Sequence, residues 1–205
     1  MLKYYLSVAL TAVLWYLMFV VKPLDNFWVM MAISTSLLTI ISLFRYRDQL
    51  KFANWNKKDI LIGIGSAIFL YAVFFIGKKL LDVIGIIPNH NANINNVYAN
   101  KGQLPAYGVA LLLFFPIGFG EEIFWRGYLQ RIMSENYSET FSLLVTTFFY
   151  TAVHIPTKNP VLILAALIVG LYWGIIYNWR GNIVAPLISH MVWDPLIFII
   201  LPFAV

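Results

Sequence analysis

The 205-residue chain contains no cysteine. That excludes a disulfide framework, a thiolate nucleophile and any cysteine-ligated zinc site. Charge is the second scarcity, at 11% of residues, against about a quarter in an ordinary soluble domain. A water-soluble fold of this size could not cover its surface with so few charges. Among the charged residues the acidic ones are the scarcer, nine against fourteen basic, and the net charge is +5. The basic residues sit mostly between apolar runs, where they read as topology signals and lipid-headgroup contacts. Nucleic acid is therefore not an expected partner, and the lipid bilayer is.

What the chain has instead is hydrophobic sequence, 61% of its residues. Seven apolar stretches run over 4–21, 27–44, 60–77, 104–119, 141–155, 160–177 and 183–204, against about 20 residues for a spanning helix. The expected fold class is all-α: a polytopic transmembrane helix bundle of about seven membrane helices, forming one integral membrane domain over 1–205. The shorter stretches imply tilted or partial spans. The first run follows Lys3, continues from Tyr4 to Val21 and lacks a small-residue cleavage site. It reads as a retained helix rather than a signal peptide.

With the N-terminus in the cytoplasm, Lys3, Arg45, Arg47, Lys51, Lys57, Lys58, Arg126, Arg131 and Arg180 fall inside, nine of the fourteen basic residues. Lys78 and Lys79 count against this orientation, but the bias favours it. The segment from Pro88 to Gly102 carries six asparagines and His90, and reads as a polar connecting loop with a solvated histidine. Lysine- and asparagine-rich loops suit a bacterium with an AT-rich genome, so the expected location is a bacterial cell membrane.

The informative residues are ionisable side chains that no loop can accommodate. Asp25, Asp48, Asp59, Asp82, Glu135 and Glu139 lie in polar connections, whereas Glu121, Glu122, Asp194, His154 and His190 are embedded in apolar sequence. A charge at mid-membrane costs about 2.5–3.5 kcal/mol on insertion scales, so such groups pair with one another or line a watered cavity. Glu121, Glu122 and Arg126 follow a run broken by Pro116, Gly118 and Gly120. His154 closes another apolar stretch before Pro156, and His190 and Asp194 lie in the last.

Glu122 and Arg126 are four residues apart and share a helix face, so they can form an ion pair. Glu121 is turned by about 100° from its neighbour and points elsewhere. His190 and Asp194 share a face by the same spacing, as do Tyr150 and His154. Singly, each has a structural reading: a salt bridge, a packing histidine, a polar residue at the Pro195 kink. Trp125, Tyr128, Trp173, Trp179 and Trp193 read as interface anchors or packing. Together, an acid beside an arginine and two histidines on three apolar helices resist a purely structural account.

The string EEIFWRGYLQ, Glu121 to Gln130, closely resembles the first motif of the CAAX-protease and bacteriocin-processing family, two glutamates and an arginine. YTAVH, Tyr150 to His154, resembles the second, with tyrosine where phenylalanine is usual. HMVWD, His190 to Asp194, resembles the third, whose last position is asparagine or aspartate. The resemblance covers about residues 104–200.

It implies an all-helical intramembrane endopeptidase that cuts a membrane-associated peptide or protein. Carried over by position, Glu121 activates water with help from His154. His190 and Asp194 stabilise the oxyanion, although an ionised aspartate cannot donate and would then only orient His190. Glu122 and Arg126 brace the helix. No cofactor is required by this reading. A divalent metal such as zinc on Glu121, His154 and His190 is the other form of the chemistry, although no HExxH helix is present. The alternative function is a non-catalytic membrane partner or bacteriocin-immunity protein that keeps the fold. A transporter would require paired broken helices in related halves, and no internal repeat is visible.

Overall fold

The computed structural model describes residues 2–46 and 55–203; Arg47, Asp48 and Lys51 lie outside the described residues. Helices α1 (Leu2–Tyr16), α2 (Phe27–Arg45), α3 (Lys57–Ile84), α4 (His90–Tyr98), α5 (Ala106–Leu112), α6 (Phe119–Phe124), α7 (Arg131–Ser134), α8 (Glu139–Ala152), α9 (Pro160–Arg180) and α10 (Val184–Pro195) follow in order. Among the described residues there is no strand. The expected polytopic helical bundle is what the chain forms.

Helix starts follow side-chain capping, which satisfies N–H groups that lack an intrahelical partner. Asn26 accepts from Val29 N, Asn56 from Asp59 N, Ser138 from Phe141 N, and Asn159 from both Val161 N and Leu162 N. Two helices stop on glycine: Gly85 (φ 67°) after α3 and Gly181 (φ 63°) after α9 occupy the left-handed region that glycine reaches without penalty.

Five segments are long and apolar enough to cross a membrane: Tyr4–Val21, Phe27–Arg45, Lys57–Ile84, Ala106–Ser134 and Pro160–Arg180. Val184–Ile200 is apolar but shorter. The fourteen residues of α8 rise only about 21 Å, less than the hydrocarbon core. The lipid-facing surface is apolar, with Leu61, Ile68, Phe69 and Ile76 on α3 each more than half exposed.

The fourth stretch is broken where the sequence places the break. The apolar span Ala106–Ser134 is two helical segments that meet at a kink beside Pro116. Inside it, Phe115 is extended (φ −151°, ψ 125°), because Pro116 supplies no N–H and disfavours helix at the residue before it. A wide π-type turn at Trp125–Gln130 follows α6, as such turns often do at functional sites.

Around this kinked segment, α10 packs on α3 and α6, α8 packs on α9, and α2 packs on α6. Two glycines permit close approach. A Cβ on Gly118 would lie 3.3 Å from Met191 Cα, and one on Gly63 would lie 2.6 Å from Ile188 Cβ, so α10 is clasped from both sides.

Three local expectations are corrected. The asparagine-rich segment is helical over α4, and His90 Nε2 lies 2.8 Å from Asp82 Oδ1 instead of being solvated. Asp59 is fully buried, bonded by Arg180 Nε at 2.6 Å, Asn56 Nδ2 at 2.7 Å and Asn182 Nδ2 at 3.0 Å. Arg126 is also buried, so it is an interior cation and not a topology signal.

Candidate active site

The two adjacent glutamates occupy the first turn of α6, directly after the break. The break lets this short helix enter the bundle with both carboxylates buried, and their different directions give them different partners.

Glu122 turns into the protein. Its Oε1 accepts from Arg126 Nη1 at 2.8 Å, the ion pair that the spacing predicts, and also lies 2.9 Å from His190 Nδ1. Arg126 Nη2 continues across the bundle to the carbonyls of Gly170 (2.9 Å) and Val169 (3.4 Å) on α9. Its guanidinium lies over the rings of Tyr150 (5.2 Å) and Trp173 (5.6 Å). The Trp173 ring stacks on His190 with centroids 3.7 Å apart and planes 16° apart, and its Nε1 donates to Ser189 Oγ at 3.0 Å. On the other side of His190, Nε2 lies 3.3 Å from Asp194 Oδ2. His190 is therefore held on its face and at both nitrogens.

Glu121 turns the other way. Its Oε2 accepts from the Tyr150 hydroxyl at 2.9 Å. One helical turn later, His154 Nδ1 lies 2.7 Å from the carbonyl oxygen of Tyr150. A carbonyl only accepts, so Nδ1 carries a proton, and the neutral ring keeps a bare Nε2 as acceptor or base. Phe19 lies beside this ring at 5.7 Å.

Glu121, Tyr150, His154, His190 and Asp194 all line one cavity of about 310 Å³. Its walls are largely apolar, with the aromatic rings of Phe19, Trp28, Phe74, Trp193 and Phe198 among them. Such a space is large enough for a short peptide segment and has few polar groups to fix it. The structure thus brings together all seven residues singled out in the sequence, four at the cavity wall and two behind it, with Tyr150 joining the layers.

The same geometry bears on how a metal ion would fit. Among the described residues no three His, Asp or Glu side chains form a group that could hold an ion, the set Glu121, His154 and His190 included. His190 presents both nitrogens to carboxylates and His154 presents one to a carbonyl, so neither is arranged around a shared centre.

Sequence reasoning missed several contributors. Trp173, taken as an anchor or packing residue, supports His190; of the five aromatics so read, Trp179 alone is exposed. The carbonyls of Val169 and Gly170 carry no side-chain signal. Residues of α4 close one side of the cavity, with Asn159 Nδ2 donating to Asn93 O at 2.8 Å. The asparagine run was the visible signal there, hidden by its polarity.

Residues 103–196 match the family described as Type II CAAX prenyl endopeptidase Rce1-like. The resemblance read from the three motifs thus holds over the stretch that carries them. The chain is also similar to the uncharacterized protein YpbD of Bacillus subtilis (strain 168), 25% identical over 153 residues, covering 72% of each chain. No solved structure matches.

Proposed function

We propose, for a chain whose residues 103–196 match the Rce1-like family, that it hydrolyses a peptide bond in a membrane-associated peptide or protein through water activated by Glu121. The observation that carries this reading is the shared cavity: a carboxylate and histidines from different segments of the bundle reach one space of about 310 Å³ backed by a fixed ion pair.

In this scheme the water oxygen bonds to the scissile carbonyl carbon while its proton passes to Glu121, with His154 Nε2 accepting a hydrogen bond from the water. The carbonyl oxygen becomes an oxyanion beside His190. Asp194, acceptor-only when ionised, orients that ring instead of donating to the substrate. The C–N bond then breaks as Glu121 returns the proton to the departing amine nitrogen. Glu122 and Arg126 hold α6 and His190 in place and do not touch the substrate. The orientation that goes with this reading has the N-terminus in the cytoplasm of a bacterial cell.

The test is cleavage of a membrane-peptide library by purified protein, with prenylated CaaX peptides and secreted-peptide precursors included. Wild type is compared with Glu121→Ala, His154→Ala and His190→Ala. The expected loss for Glu121→Ala is about 10²–10⁴-fold, the range for removing a general base, with folding retained. Activity that survives chelation assigns the glutamate mechanism, and activity lost on chelation and restored by zinc assigns the metal. A wild-type protein that cleaves nothing in the library overturns the protease reading in favour of a binding role.

A further inference from the structure

The cavity opens at one end of the bundle, and that end has a sidedness. Its lining includes the segment just after α1 (Met18, Phe19, Lys22), the start of α2, α4, the turn before α9, and the C-terminal half of α10. All of these lie at the end of the bundle reached by α1 after one crossing. Glu121, Tyr150, His154 and His190 are its buried floor, whereas Lys22 and Asn96 are exposed lining residues, so the opening is at their end. Among the described residues neither of these two side chains makes a hydrogen bond or ion pair.

The opposite end carries Arg45, Lys57, Lys58, Arg131 and Arg180, and the sequence adds Lys3, Arg47 and Lys51. With the buried Arg126 removed from the count, the sequence puts eight basic residues in the N-terminal segment and connections that lead to that end, and five, Lys22, Lys78, Lys79, Lys101 and Lys158, in those of the cavity end. Basic residues in short connections stay cytoplasmic. The cavity end is then the one that is translocated.

We propose that the cavity opens to the extracytoplasmic face, so that its substrate is a peptide segment presented from outside the cytoplasm: an apolar stretch seated against the aromatic walls, followed by polar chain running out past Lys22 and Asn96. A cytoplasmic protein tail is not a substrate in this arrangement. The substrate side rests on the protease reading, whereas the sidedness of the opening does not.

Because the chain has no cysteine, a single introduced thiol reports its side of the membrane without background. Asn96→Cys marks the opening and Asn136→Cys, exposed just after α7, marks the opposite end; both remove uncharged residues and leave the basic count intact. In intact bacteria a membrane-impermeant maleimide should label Asn96→Cys and should label Asn136→Cys only after permeabilisation. The reverse pattern overturns the proposal. The wild-type full chain is then given the membrane-peptide library in right-side-out spheroplasts and in inside-out vesicles. Cleavage confined to spheroplasts is expected, and cleavage confined to vesicles overturns the substrate assignment. If neither preparation cleaves, the protease reading fails while the labelling still decides which way the cavity opens.

Discussion

Glu121 and Glu122 are neighbours in sequence, equally buried, and placed in opposite kinds of surroundings. Glu122 has a cation at 2.8 Å and a histidine at 2.9 Å on a single oxygen, and its arginine is tied to two carbonyls of another helix. Glu121 has one tyrosine hydroxyl and a cavity. The difference teaches how a bundle with so few charges separates structure from reactivity: one carboxylate is spent on compensating its own burial, and the adjacent one is left able to exchange a proton.

The largest way to break the comparison is to remove the cation. In Arg126→Ala, Glu122 stays buried with no positive partner from its own helix, and the carbonyls of Val169 and Gly170 lose their donor. Breaking a buried pair from one side costs about 3–5 kcal/mol. The expected result is a sharp fall in folded yield and in thermal unfolding temperature in detergent. Normal yield and stability would show that Glu122 needs no such compensation, and the contrast with Glu121 would collapse.

A smaller change sharpens it from the other side. Tyr150→Phe keeps the ring that packs on Trp125 at 5.0 Å and under Arg126, and deletes the hydroxyl that occupies Glu121 Oε2. That bond leaves Oε1 as the oxygen available to water. A hydrogen bond to a charged group contributes about 1.5–3 kcal/mol to stability, so stability should fall by no more than that, and kcat per folded molecule should fall while KM holds. A fall in stability with unchanged kcat would make the tyrosine a packing residue only.

These two residues also mark how far the sequence could be read. The pair Glu122–Arg126 was legible because helical spacing alone brings positions four apart together, and the three motifs located the remaining side chains. That His190 closes on Glu122 was not legible, since it depends on how α10 crosses α6 past Gly118, which no local pattern encodes. The tyrosine in place of the usual phenylalanine was visible but looked minor; only the fold puts its hydroxyl against Glu121. Asp59 read as a loop acid because it follows two lysines at a helix start, yet Arg180, far along the chain, buries it. Apolar runs located the membrane helices, five of which among the described residues are long enough to cross; they did not show that α8 stops at fourteen residues, because element boundaries carry a weaker signal than element existence.

The smallest expected effect lies at the cavity rim, on the Glu121 side. Asn159 is a buried residue whose Oδ1 caps α9 by accepting from Val161 N and Leu162 N, while its Nδ2 donates to Asn93 O on α4. One amide thus joins the wall that carries Trp173 to the helix that closes the cavity. Asn159→Ala removes an N-cap, a loss of about 1 kcal/mol, and frees the Asn93 carbonyl to solvent instead of leaving a charge unpaired. Thermal stability should drop slightly, and amide hydrogen exchange should rise over α4 and the first turn of α9 but not over α6. A loss as large as that of Arg126→Ala would mean that the reactive side is braced as firmly as the Glu122 side. Exchange confined to the first turn of α9 would mean instead that α4 is held by its other bonds, His90 to Asp82 and Tyr98 to the Ile197 carbonyl.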